Sequence, residues 1–265
     1  TSAVLRSGAN VVKGTFEYHF IDEEWTADNT KALRAQWGAA ARPKTLDVWR
    51  DVSGDVGGPV LRDRIWFFGG LQFGEYAYRG YGFPGPGHTS EERWRALGKL
   101  DGAPHQRLRV SGFYQREDTD IDGYALGPGG YGPYMEATQT AEAPNDLWNA
   151  RAAWELRAAT RLEGRVGGYR GYFDYEPRPP ATRDGPMPIL DVSLGAFVNV
   201  APIYLEDHRR SVDASVTLSH VRQARGTHDM KFGLEWAGDR SLKEVGTVSG
   251  RMVYVRDGAP VQMEA

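Results

Sequence analysis

The stretch Asp118-Thr119-Asp120-Ile121-Asp122-Gly123 sets carboxylates at positions one, three and five and glycine at six, the opening of a calcium-binding loop. Position twelve is Gly129, where an EF-hand needs a bidentate glutamate, and the flanks carry no helical pattern, so an EF-hand is excluded. What remains is a looser calcium site through Asp118, Asp120 and Asp122, weighed against a strand end whose alternate acids simply face water. The histidines (His19, His88, His105, His208, His220 and His228) are dispersed, with no pair at metal-binding spacing. The absence of cysteine excludes disulfides, thiol nucleophiles and Cys-ligated metal or iron–sulfur sites. There is no Gly-x-Ser-x-Gly elbow, phosphate loop or dinucleotide fingerprint. Nothing places two carboxylates at a catalytic separation. The chain does not read as an enzyme.

Binding chemistry is better represented. Tyr76, Tyr78, Tyr81 and Phe83 fall in one Gly- and Pro-rich stretch, and Tyr124, Tyr131 and Tyr134 in another. Aromatic side chains on glycine-rich loops make stacking surfaces for a ligand, so Tyr81, Phe83, Tyr124, Tyr131 and Tyr134 are the candidate binding residues. The rival reading, an aromatic girdle at a membrane interface, suits Tyr76, Tyr78 and Tyr114.

These residues sit among segments with period-two alternation. Ile65, Phe67, Gly69, Leu71 and Phe73 share one face while Trp66, Phe68, Gly70, Gln72 and Gly74 share the other, the pattern of a β-strand. Trp148, Ala150, Ala152, Trp154 and Leu156 oppose Asn149, Arg151, Ala153, Glu155 and Arg157 in the same way. Pro59 is expected in a turn, because proline cannot donate to a ladder. About ten such strands are expected, the last short one near Met252–Val255, and the closing GAPVQMEA is read as no strand. ADNTKALRAQWGAAA (27–41) reads as a short helix capped at Asp28 or Asn29.

Connections alternate strictly in length. Long ones near 21–44, 76–91, 117–145, 172–204 and 239–250 separate short ones near 59–63, 101–105, 158–161 and 223–227. That two-ended asymmetry is the signature of an outer-membrane barrel, with short periplasmic turns and long extracellular loops. No run of 18 apolar residues exists, so no membrane helix is expected, whereas barrel strands hide their apolar half by alternation. The small residues on the apolar face, among them Gly98, Ala150, Ala152 and Gly164, would fill a protein core poorly but lie acceptably against lipid. The expected fold is all-β: part of an antiparallel transmembrane β-barrel, as about ten meandering strands of a larger one. On that reading Glu17, Asp51, Asp55, Arg107, Arg109, Arg151, Glu155, Glu163 and Arg165 face the lumen as a solvated ion-pair network. With a net charge of −3 and basic residues scattered among acids, no nucleic-acid partner is expected.

Three stretches add a family resemblance. GGPVLRDRIWFFGG (57–70) resembles the early barrel hairpin of TonB-dependent outer-membrane transporters, especially the Oar-like group. SGANVVKGTFEYHF (7–20) is similar to that family's plug-to-barrel junction, and GTHDMKFGLEW (226–236) to a later barrel strand. The resemblance implies that residues 1–11 end a plug domain, 12–258 form the N-terminal part of the barrel and 259–265 begin its continuation. It also implies a bacterial outer-membrane location, with membrane lipid and the plug as partners. Energy would come from TonB, ExbB and ExbD acting through a plug outside this chain, to import a small solute such as a siderophore, oligosaccharide or peptide. No secretory signal stands at Thr1, so the chain is expected to be a piece of a longer protein. Two rivals remain open: a passive outer-membrane channel, and a soluble β-sandwich binding module. The sandwich predicts that Phe16, Phe67, Trp148 and Trp154 share one dry core, whereas the barrel turns them to lipid.

Overall fold

The computed structural model describes residues 6–25, 45–79, 87–126, 131–132 and 134–264. Among them there is no α-helix, only strands and three 3-10 turns. The strands are β1 (Lys13–Asp22), β2 (Thr45–Leu61), β3 (Ile65–Arg79), β4 (Thr89–His105), β5 (Leu108–Tyr124), β6 (Gln139–Glu142), β7 (Asn145–Arg157) and β8 (Thr160–Pro177). After them come β9 (Ile189–Asp191), β10 (Ala196–Phe197), β11 (Ile203–Gln223), β12 (Thr227–Thr247), β13 (Met252–Arg256) and β14 (Ala259–Glu264). Ten of these form one antiparallel sheet running from β1 to β12, with β6 and β7 sharing the position between β5 and β8. The sheet is open, with β1 at one edge and β12 at the other. It is an up-and-down meander, as alternation and turn spacing predict.

The alternation of connections holds, and the turns are shorter than expected. β2–β3, β4–β5, β7–β8 and β11–β12 are joined by 62–64, 106–107, 158–159 and 224–226. Asp63 and Arg225 take positive φ (62° and 53°), the left-handed conformation that lets so few residues reverse a strand pair. Pro59 is not in the turn: it lies within β2 opposite Trp66, beside a register irregularity that absorbs its missing N–H. β4 likewise runs through Pro104 to His105, with a register shift after Gly102.

The long connections are shorter too. β12 continues to Thr247, paired residue for residue with β11, where a loop was expected from 239. Both faces of that segment carry charge (Asp239, Arg240, Lys243, Glu244), so alternation vanishes from the sequence while the backbone ladder persists. Nor does Met252–Val255 extend the large sheet. It belongs to β13, which pairs antiparallel with β14 and parallel with β9 in a second, four-stranded sheet. Within GAPVQMEA, Ala259–Glu264 is therefore strand after all, entered through the left-handed pair Asp257-Gly258 (φ 52° and 77°). The helix expected over 27–41 lies outside the described residues.

The two faces differ in kind. One carries Phe16, Leu71, Leu100, Trp154, Val216, Phe232, Leu234 and Trp236, and they are exposed, Leu234 by 83% and Phe16 by 74%. Among the described residues nothing packs over them, so the single dry core of a sandwich does not form: Trp154 too is 49% exposed. Buried apolar side chains gather instead at the long-loop end, where Val200, Ala201 and Val248 are fully enclosed and Ala196 nearly so. Backbone bonds from Val248 to Pro202, Ser249 to Arg183 and Val192 to Val255 knit this cap between the two sheets.

This division predicts unequal costs for one chemical change. Val248→Ala in the cap should lower unfolding free energy by about 1–3 kcal/mol and expose residues 189–202 to limited proteolysis. Val216→Ala on the open face should cost less than about 0.5 kcal/mol. Denaturant unfolding and protease mapping in detergent would check both; equal losses would contradict the division.

Candidate functional site: a charged face with an aromatic mouth

Ladder registry assigns the charged residues to faces. Glu17 lies opposite Ser53, Ser53 opposite Gln72, Gln72 opposite Arg95 and Arg95 opposite Glu117. Side chains alternate along a strand, so Asp51, Asp55, Arg109, Arg151, Glu155, Glu163 and Arg165 share that face. Arg107 does not: it occupies the turn 106–107, where its N–H donates to His105 Nδ1 at 3.2 Å. With one exception, then, the expected set is brought together.

Its members pair with one another. Glu163 takes Arg151 at 2.6 Å and Arg161 at 3.1 Å, and Arg165 holds Asp213 at 2.8 Å. Asp51 accepts from Gln72 Nε2 at 2.8 Å and from the Tyr76 hydroxyl at 3.1 Å, and Arg95 bridges Glu117. Residues 6–10, within the 1–11 that the resemblance reads as the end of a plug domain, also contact this face. Arg6 reaches Asp55 at 3.3 Å, and Lys99 Nζ donates to Ser7 Oγ at 2.6 Å. Asn10 Oδ1 accepts from the Asp63 backbone N–H (3.0 Å) and Trp66 Nε1 (2.8 Å). Gly8 lies against the backbone of Phe67 and Gly58, too near for a Cβ at that position. Asn10 beside a Gly-containing turn was the available signal, but nothing in the sequence named Asp63 and Trp66 as its partners.

At the long-loop end the same face becomes aromatic. Tyr124 stacks on Tyr175 (centroids 5.5 Å apart) and meets Phe173 edge-on at 5.9 Å. Tyr131 meets Phe197 edge-on at 5.8 Å. Burial, with help from Tyr175 and Tyr124, pushes the Tyr131 hydroxyl up to about 12. Two of the candidate binding tyrosines thus come together. Tyr134 only opens the 3-10 turn Met135–Ala137 and is exposed, and Tyr81 and Phe83 lie outside the described residues. Phe173, Tyr175 and Phe197 were missed, because residues from 172 onward read as loop. The continuing alternation Tyr169, Gly171, Phe173, Tyr175 was the signal that could have found the first two.

Asp118, Asp120 and Asp122 lie on the opposite, outward face of β5. Asp118 is bound by Arg116 at 3.0 Å, and Asp122 by Arg178 through two bonds of 2.8 and 2.9 Å. Alternate residues on a straight strand stand roughly 7 Å apart, too far to converge on one ion whose oxygens must lie within about 2.6 Å. The expected calcium site is therefore not formed, and among the described residues no group of three such ligands gathers anywhere. Hydrogen bonding to Asp122 instead raises the Arg178 pKa, and Glu176, then Glu206, do the same for Arg183.

No family model, no curated protein and no solved structure matches the chain. Function has to be read from the geometry: a polar, ion-paired floor leading to an aromatic mouth, backed by an apolar reverse side.

The Tyr131 shift gives a pH test. Its folded value lies above the ordinary 10, so the unfolded phenol ionises first. The associated stability is intact below pH 10 and is lost as pH rises through about 12. Alkaline titration of tyrosinate absorbance, wild type minus Tyr131→Phe, should place the missing tyrosine at the alkaline end of the curve; a difference centred near 10 would contradict the buried mouth.

Proposed function

We propose that this chain is part of an outer-membrane β-barrel that imports a solute, of the TonB-dependent type that its hairpin sequence resembles. The carrying observation is the exposed apolar face. Ten large side chains there (Phe16, Tyr18, Leu71, Phe73, Leu100, Trp154, Val216, Phe232, Leu234 and Trp236) are open to the surroundings. In water, leaving side chains of this size about half or more exposed forgoes burial energy on the order of 10 kcal/mol in all. That is comparable to the about 5–15 kcal/mol by which a domain is normally stable. Hydrocarbon removes this deficit.

The dimensions suit the same reading. Apolar, outward positions run from Val52 to Val60, Ile65 to Phe73 and Trp148 to Leu156, nine residues or roughly 30 Å of strand in each case. A transmembrane strand needs about 9–11. Above that band the outward positions turn charged on β3, β4, β5, β6, β8, β11 and β12. Glu75, Glu92, Asp120, Glu142, Asp174, Glu206 and Glu244 follow one another in cross-strand register.

On this reading the ion-paired face lines the lumen and receives the plug, and residues 6–12 enter it at the periplasmic end. The aromatic mouth takes the solute at the extracellular end. The edges at β1 and β12 pair with further strands of the same protein, since lipid leaves no other partner for their backbone groups. A passive channel made of this chain alone would need those two edges to pair with each other, whereas they stand at opposite ends of the sheet.

The test is a nitroxide scan of β7, with single cysteines introduced into the complete protein, any other cysteine having been replaced, and the protein folded into bilayers. Labels at Trp148, Ala150, Ala152 and Trp154 should show high collision rates with oxygen dissolved in lipid. Those at Asn149, Arg151, Ala153 and Glu155 should not. Equal accessibility at both sets, or failure to insert, would overturn the proposal.

A further inference from the structure

One outward row, immediately above the apolar band, is basic where an ordinary sheet would avoid it. Across adjacent strands it reads Ala96, Arg116, Asp146, Arg170, Arg210 and Arg240, each directly opposite the next. Asp146 serves Arg170 (2.9 Å) and stands near Arg116 (3.7 Å), which also has Asp118. Arg210 and Arg240 are exposed; Arg210 faces Arg240 on one side and Arg170 on the other, and no ion pair is formed by Arg210 or Arg240 among the described residues. Like charges placed directly across a ladder are destabilising.

The groups packed around them do not supply a counter-charge. Below lie Gly168, Val212 and Gly238, with Trp148 folded over Gly168 and Trp236 over Gly238. Above lie Tyr172, His208 and Leu242. The next acids up are already engaged: Asp174 with His208 at 3.0 Å, Glu206 with Arg183 at 2.5 Å, and Glu244 with the Tyr204 hydroxyl at 3.5 Å.

We infer that Arg170, Arg210 and Arg240 form a docking surface for the phosphate groups of membrane-lipid headgroups in the leaflet on the long-loop side. This rests on the proposed membrane orientation. The depth supports it, because the row sits directly over Trp148, Trp236 and Tyr114, and indole and phenol rings gather at the level of lipid headgroups. The chemistry supports it as well: guanidinium forks match phosphate oxygens two at a time, and Arg is less strongly hydrated than Lys. The aromatic collar below and Leu242 and Tyr172 above would hold the acyl and sugar or glycerol portions beside the charge.

The test uses the complete protein in phosphatidylcholine nanodiscs containing phosphatidic acid as probe, with bound phosphatidic acid counted by native mass spectrometry. The triple change Arg170→Gln, Arg210→Gln and Arg240→Gln should lower its apparent affinity about tenfold. An inward-facing control of equal charge change, Arg151→Gln, Arg161→Gln and Arg165→Gln, should leave it unchanged. Should the triple variant fail to fold, Arg210→Gln alone, at the centre of the row, should still cost about threefold. Insertion is scored separately by protease protection. A protein that inserts but binds phosphatidic acid equally with and without the three arginines overturns this inference and leaves the transporter reading standing. Displacement of the lipid by millimolar-range inorganic phosphate would also overturn it, since the site would then take free anion. A wild-type protein that never inserts overturns both.

Discussion

Everything in this molecule depends on the sideways hydrogen bonding of extended chains. Once β8, β11 and β12 are locked in register from Leu205 and Val245 down to His220 and Met230, no side chain can choose its side. A residue faces Leu234 or faces Glu235 according to parity alone. The backbone ladder is therefore the device that turns a mixed sequence into two surfaces of opposite chemistry. Its register matters more to function than any one contact on either surface.

The two surfaces have different tolerances. The charged face is a web in which Glu163 answers both Arg151 and Arg161, and Asp51 answers both Gln72 and Tyr76. The Glu163 pairs are partly open to solvent, and each contributes little to stability, whereas Asp51 is buried among its partners. In the proposed orientation they would together give the plug and the solute a polar lining. In that orientation the apolar face asks only for hydrocarbon outlines. Gly98 and Gly164 have nothing within 4 Å of where a Cβ would sit, an arrangement a packed core would not leave.

How much of this was legible depended on contrast between neighbours in the sequence. Ile65–Phe73 and Trp148–Leu156 alternate strongly, and the structure places them as strands of the large sheet. The strict rhythm of short and long connections also survives in the meander. Legibility failed where both faces carry the same chemistry. Residues 239–247 mix charged and apolar side chains on either side, so a paired strand looked like a loop, and the acids of 118–122 looked like a chelating loop when they are one strand's outward edge. The cap was invisible for a different reason. Val200, Val248 and Pro188 are enclosed beside backbone bonds from Val248 to Pro202 and from Val253 to Pro188 and the parallel pairing of β9 with β13, contacts between residues some forty-five to sixty-five positions apart that no local pattern encodes. Pro59 and Pro104 misled in the opposite direction, since a bulge can seat a proline that a regular ladder would expel.

The great length of β11 and β12 has a consequence for how a solute is met. Both run 21 residues, roughly 70 Å of chain, more than twice what a bilayer core requires. Phe173 and Tyr175 stand three and five residues beyond Arg170, so the aromatic mouth is held roughly 10–17 Å of strand above the arginine row. At physiological ionic strength the electrostatic potential of a charged membrane surface falls off over about 8 Å. In the proposed orientation the mouth therefore stands where that potential has largely decayed. Anionic and cationic solutes would reach it on nearly equal terms, leaving discrimination to ring stacking and to the immediate polar neighbours of Tyr124 and Tyr131.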